Sequence, residues 1–102
     1  MMREMEIPQL VESVVHDALR DALLVESASI VPEASIMDDL GAESIDLLDI
    51  RFRLEKALGV RITNEDLVVA FSAAKSDDEF RRLFTVGAMC DYLTARLETD
   101  RD

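Results

Sequence analysis

The stretch Asp38–Leu58, DDLGAESIDLLDIRFRLEKAL, holds the signals from which we predict the fold of this chain. It opens with an acidic turn that contains a glycine, and Ser44 follows where an amphipathic helix begins. Five acidic residues lie around this serine with no lysine or arginine among them: Asp38, Asp39, Glu43, Asp46 and Asp49. A hydroxyl at the start of a helix, ringed by carboxylates, indicates a position that other proteins recognise and modify.

The predicted helix has two apolar faces. At about 100° per residue, one face forms a stripe of the width expected for a core contact, made of Leu47, Ile50, Leu54, Ala57 and Leu58. A second ridge, Ile45, Leu48 and Phe52, lies on the far side with Asp49 beside it. This ridge has three explanations: burial beneath another segment such as residues 71–84, exposure for docking partner proteins, or the wall of a groove for apolar cargo.

Apolar residues at helical spacing predict a first helix from Ile7 to about Leu24. Segment 25–39 contains three serines and one proline among scattered apolar residues, so we expect a long ordered loop in which Ser35 caps one short turn. The second helix is predicted from Ser44 to Leu58, because Gly59 is a favoured residue just past a helix end.

Three further helical segments are predicted, each after a serine or threonine that can cap it. They are Asn64 to about Ala70 after Thr63, residues 76–83 beginning at Ser76, and a last helix through Leu97 after Thr85. We expect the charged tail, residues 98–102, to be frayed. The chain is therefore predicted to be a single all-α domain, 1–102 with a core of about 7–97. It is a four-helix bundle with a short third helix and an extra helical segment before the last helix.

Charge limits the classes of partner. The formal net charge of −11 disfavours nucleic acid and anionic membrane surfaces, since both are bound through basic residues. It favours basic protein partners, because opposite fields steer encounter. The sequence shows no signal-peptide run and no stretch long enough to span a membrane, so we expect a cytoplasmic monomer without membrane insertion.

We expect neither a catalytic site nor a metal site. A hydrolytic role for Ser44 needs a base, and nothing in the pattern links it to His16, the single histidine. The single cysteine, Cys90, excludes an internal disulfide and lies on the apolar stripe of the last helix, which predicts a packing role. The acids around Ser44 do not have the spacing of a calcium loop.

Three motifs resemble the acyl carrier protein family. Residues 40–46, LGAESID, are similar to the L-G-x-D-S-L motif whose serine bears 4′-phosphopantetheine. Residues 55–62, EKALGVRI, resemble the E-x-x-F/L-G-I-x-I pattern that ends the family's second helix, and residues 85–87, TVG, resemble the start of its last helix. The resemblance covers about residues 7–97. It implies a carrier rather than an enzyme, with 4′-phosphopantetheine attached to Ser44 and acyl groups held as thioesters.

The resemblance also implies partners. These are a phosphopantetheinyl transferase and enzymes of the acyl–acyl carrier protein synthetase, ketosynthase or acyltransferase type. The acids would repel a phosphate on Ser44, so we interpret them as contacts for basic patches on those enzymes. The expected docking residues are Asp39, Glu43, Ile45, Asp46, Leu48, Asp49 and Phe52.

The sequence departs from the usual family pattern at several positions. Glu43 and Ile45 replace the usual Asp and Leu, and Arg51 and Arg53 add positive charge to a helix that is typically acidic. Residues 67–84, LVVAFSAAKSDDEFRRLF, make the chain longer before its last helix, which resembles specialised carriers of very long acyl chains for bacterial lipid A. This extension is predicted to enlarge an acyl groove or to offer a partner surface. We therefore predict a carrier in a specialised fatty-acid or lipid pathway; a polyketide or aminoacyl carrier and an unmodified acidic helical adaptor are the alternatives.

Overall fold

The computed structural model describes residues 6–100, which form five α-helices. They are α1 (Ile7–Leu23), α2 (Ser44–Leu58), α3 (Asn64–Ala70), α4 (Asp77–Leu83) and α5 (Val86–Asp100), with a short 3₁₀ turn at Ser27–Ser29. One isolated antiparallel bridge joins Ser35 to Thr85, and residues 6–100 contain no strand. The predicted all-α class, with a short third helix and an extra helix before the last, is confirmed.

The predicted caps fix where the last three helices begin. The Thr63 hydroxyl accepts from the Asp66 N–H at 3.1 Å, and the Asp66 carboxylate accepts from the Thr63 N–H at 3.0 Å. α4 and α5 each have one capping hydrogen bond. The Glu79 N–H donates to Ser76 Oγ and the Ala88 N–H donates to Thr85 Oγ1, both at 3.1 Å. Because these bonds satisfy N–H groups that a helix leaves unpaired, each helix starts where its cap predicts.

The last helix differs from the prediction at its C-terminal end. α5 continues to Asp100, so the fraying expected after Leu97 is wrong for residues 98–100. No glycine or proline follows Leu97 to stop the helix. Residues 101 and 102 lie outside the described part of the chain.

The core lies where α1 packs against α2 and α5. Its largest fully buried side chains are aliphatic: Val11, Val15, Leu19, Ile36, Ile50, Leu54 and Leu93. The predicted stripe of α2 faces this core through Ile50 and Leu54, with Leu47 and Leu58 half-buried. Ala57 is exposed, so its assignment to the stripe is wrong. It occupies the edge of the stripe, about 60° from the direction of Leu54 on a helix of 100° per residue.

The extension before α5 is attached by an aromatic cluster. The Phe80 and Phe84 rings stack with centroids 5.1 Å apart, and Phe71 meets both edge-on at 5.5 and 5.3 Å. Phe84 is buried in the core, and each such ring pair adds about 0.5–1.5 kcal/mol beyond area burial. The cluster holds α4 against the body of the domain. The extension does not cover the second ridge of α2, since the three side chains of that ridge are exposed.

None of the helices in residues 6–100 is both long enough and apolar enough to cross a membrane.

Candidate functional site

The turn before α2 is built on Ser35. Its hydroxyl accepts from the Asp38 N–H at 3.0 Å, and its own N–H donates to an Asp39 carboxylate oxygen at 2.7 Å. Its carbonyl also accepts from the Asp39 and Leu40 N–H groups at 2.9 and 3.0 Å. The predicted cap is confirmed. Leu40 and Ala42 are buried beyond it, so the chain leading to Ser44 is fixed on both sides of Gly41.

Gly41 is required here by backbone conformation. Its φ of +80° is in the left-handed region, where a residue with a Cβ is strained by about 1–2 kcal/mol. A Cβ at this position would meet no atom within 4 Å, so space does not explain the glycine. The turn that aims the chain into α2 therefore depends on a residue without a side chain.

Ser44 is the first residue of α2 and is exposed. The preceding N–H, that of Glu43, donates to an Asp46 carboxylate oxygen at 2.8 Å and so fixes the entry into the helix. The first N–H groups of α2 have no intrahelical partner, and the helix dipole favours an anion beside them. An exposed hydroxyl next to such donors fits a phosphodiester on the serine oxygen.

An open cleft lies beside Ser44, and it contains a residue that the sequence did not point to. Met37, Gly41 and Ile45 line the cleft, together with Arg81 from α4. The Arg81 guanidinium also lies 3.8 Å from an Asp38 carboxylate oxygen. No cation stands among the acids in the sequence, but the fold brings one to the mouth of α2. The only sequence signal was indirect, namely the Ser76 cap that sets where α4 begins.

The second ridge of α2 is open to solvent. Ile45, Leu48 and Phe52 are 72, 58 and 67% exposed, so burial of the ridge is wrong. The cleft beside Leu48 and Phe52 is of mixed character, because charged and polar side chains line it along with the ridge: Arg51, Glu55, Arg61, Thr63 and Asn64. Such walls suit a docking surface better than a groove for apolar cargo.

The acids predicted for docking are partly engaged within the chain. Asp39 and Asp46 each use a carboxylate oxygen to satisfy a backbone N–H. Asp49 pairs with Arg53 at 3.0 Å, which offsets part of its charge. These carboxylates therefore shape the turn and the helix as well as presenting negative charge. Glu43 is exposed and lines the cleft at Ser44; Asp39 is also exposed, whereas Asp46 is half-buried.

The remaining candidate residues lie away from Ser44. Cys90 is half-buried on α5, and burial, followed by the charges of Glu12 and Asp91, raises the pKa of its thiol to about 11. This supports the predicted packing role, because the thiol form is unreactive. His16 lines a different cleft, the one that contains Cys90, and the cleft at Ser44 does not include it.

Comparison with known proteins identifies the family. Residues 13–74, more than half of the chain, match a family model described as the phosphopantetheine attachment site. The chain is 34% identical over 82 residues to the acyl carrier protein AcpXL of Rhizobium etli, which covers 79% of this chain and 89% of that protein. It is 33% identical over 82 residues to AcpXL of Brucella melitensis, covering 79 and 88% of the two chains. It is 32% identical over 88 residues to the acyl carrier protein of Porphyromonas gingivalis, covering 86 and 96%.

The family match includes Ser44 and all of α2. The attachment domain binds 4′-phosphopantetheine covalently on a serine, and acyl carrier proteins are carriers rather than catalysts. The chain belongs to the acyl carrier protein family.

Proposed function

We propose that Ser44 is the serine that bears 4′-phosphopantetheine. The observation that carries the proposal is its place as the exposed first residue of α2, directly after the turn that Gly41 permits. Ser44 is the only serine within the matched range of residues 13–74 that begins an α-helix. Ser35 is 6% exposed and its hydroxyl is bonded on two sides, which leaves it no room for a substituent.

The surroundings of Ser44 suit a long, mobile arm. The arm supplies a terminal thiol that holds acyl groups as thioesters. This chain supplies the anchor: the first N–H groups of α2 would favour a phosphodiester on Ser44, and the cleft beside Ser44 is open rather than enclosed. The arm therefore leaves the protein surface freely, and partner enzymes supply the catalytic groups.

The ridge of α2 is proposed as the surface that partners bind. Ile45, Leu48 and Phe52 form an exposed apolar centre, and Asp39, Glu43, Asp46 and Asp49 supply negative charge around it. Apolar anchors with a polar rim are the usual anatomy of a protein interface. A phosphopantetheinyl transferase and acyl–acyl carrier protein synthetase, ketosynthase or acyltransferase enzymes with basic patches would complement it.

The pathway we propose is specialised fatty-acid or lipid synthesis, including the very-long-chain branch that serves lipid A. Support comes from the extension before α5 and from similarity, across about four-fifths of the chain, to two carriers named AcpXL. A polyketide or aminoacyl carrier and an unmodified adaptor are the competing functions. A single domain over 1–102, a monomer and a cytoplasmic location stay predictions.

Intact mass tests the attachment. The purified chain is incubated with a phosphopantetheinyl transferase, coenzyme A and Mg²⁺, and its mass is expected to rise by that of one phosphopantetheine. Ser44→Ala should abolish the gain, whereas the control Ser72→Ala, at an exposed position after α3, should keep it. An unchanged wild-type mass with several transferases would instead favour the adaptor.

A further inference from the structure

The added helix α4 is joined directly to the turn that precedes Ser44. The Ser35 hydroxyl donates to the Arg81 carbonyl at 2.7 Å, and the Ile36 N–H donates to the Phe84 carbonyl at 3.0 Å. Phe84 is anchored in turn by its ring contacts with Phe71 and Phe80. These contacts fix the backbone of Arg81 beside the turn. Its side chain therefore lies at the cleft beside Ser44.

Arg81 is the only cationic residue lining that cleft within residues 6–100. Its ion pair with Asp38 is loose, since 3.8 Å exceeds hydrogen-bond length and both side chains are about half exposed. A guanidinium carries five N–H donors in a planar fork that matches phosphate oxygens. The side chain therefore has the chemistry and the position to meet an anion on Ser44.

We propose that Arg81 is a positioning residue that binds the phosphodiester of the phosphopantetheine arm. This inference rests on the proposed attachment at Ser44. The carboxylates around the serine repel a phosphate, and a guanidinium in the same cleft offsets that repulsion with charge-assisted hydrogen bonds. The extension before α5 then has a defined role: it carries the cation that holds the base of the arm.

Arg82 provides a matched control. It follows Arg81 on α4, is exposed, and does not line the cleft at Ser44. Arg81→Gln and Arg82→Gln thus make the same change of charge on the same helix. Only the first removes a donor from the cleft.

The test compares the apo and loaded forms of wild type, Arg81→Gln and Arg82→Gln, with loading verified by intact mass. At low ionic strength, the Tm of the loaded form minus that of the apo form is expected to be about 2–4 °C lower in Arg81→Gln than in wild type. This is the shift for an exposed ion pair in a domain of this size. The difference should shrink in about 0.5 M salt, where such pairs are screened. The phosphorus NMR signal of the loaded protein should move in Arg81→Gln and stay in place in Arg82→Gln.

The outcomes separate this inference from the proposed function. If no variant gains mass, the attachment itself is wrong. If all variants load but Arg81→Gln and Arg82→Gln behave alike in Tm and in the phosphorus signal, the role of Arg81 is overturned. Should Arg81→Gln fail to fold, Arg81→Lys keeps the charge without the fork. A phosphorus signal displaced from that of wild type would then support the inference, and an unchanged signal would refute it.

Discussion

Replacing Ser35 by alanine is predicted to loosen the turn before Ser44 and α4 together. Ser35 is 6% exposed, and its hydroxyl joins the Asp38 N–H to the Arg81 carbonyl at 3.0 and 2.7 Å. Each bond contributes about 0.5–1.5 kcal/mol net, and a buried partner left unpaired costs about 1–3 kcal/mol. We therefore expect Ser35→Ala to lower the free energy of unfolding by about 2–3 kcal/mol.

Thermal unfolding followed by circular dichroism measures this loss. For a domain of about 100 residues, the expected destabilisation lowers Tm by about 8–24 °C. Ser29→Ala, at an exposed position in the 3₁₀ turn, is the control and should change Tm little. Faster amide exchange in α4 should accompany the loss, because the hydroxyl bond that holds α4 to the turn is gone. A Tm within about 2 °C of wild type would refute the reasoning that Ser35 joins the two elements.

Three further predictions concern other parts of the chain. Phe52→Glu should change the free energy of unfolding by less than about 0.5 kcal/mol, since the ring is 67% exposed, but should lower turnover by partner enzymes about tenfold or more. The N–H and hydroxyl of Thr63, then Arg96, lower the pKa of Asp66, so its carboxylate stabilises the fold above its usual pKa. The stability advantage of wild type over Asp66→Asn should thus be full near neutral pH and vanish as pH falls below about 4 towards the lowered pKa. With a thiol pKa of about 11, Cys90 should be alkylated slowly at pH 8, where only about one thiol in a thousand is ionised.

For each of these three predictions, one result would contradict it. Leu54→Ala, at a fully buried position of the same helix, should cost about 2–5 kcal/mol, and a similar loss in Phe52→Glu would place the ridge in the core. Glu65→Gln is the exposed control for Asp66→Asn, and a constant gap between wild type and Asp66→Asn from neutral to acid pH would contradict the carboxylate's role. Rapid labelling of the apo-protein by iodoacetamide would show that Cys90 is not protected. In the loaded protein, the arm thiol should react first.

Local chemistry made the helix boundaries predictable. Thr63, Ser76 and Thr85 begin helices because a hydroxyl within reach of the third N–H satisfies a group that would otherwise be unpaired. Gly59 ends α2 because its φ of +68° suits a residue without a Cβ. These signals act over three or four residues, so a sequence contains them in full.

Features that depend on packing between distant segments could not be predicted from the sequence. The angles of residues around the helix predict that α2 has a second apolar ridge. Whether another segment covers that ridge depends on tertiary packing, and in the structure nothing in residues 6–100 covers it. The same limit explains Ala57, which lies at the stripe's edge where no neighbour reaches it. Arg81 is 37 residues beyond Ser44 in the chain, and three contacting phenylalanines and the Ser35 hydroxyl bring it back.

The most direct test of the central claim is to locate the arm by fragmentation mass spectrometry on loaded protein. Trypsin should release Asp21–Arg51 as one peptide, because no lysine or arginine lies between Arg20 and Arg51. This peptide contains the four serines Ser27, Ser29, Ser35 and Ser44. We predict that every fragment carrying the phosphopantetheine mass includes Ser44 and that fragments ending before it have unmodified mass. A modified fragment that lacks Ser44 would contradict the account.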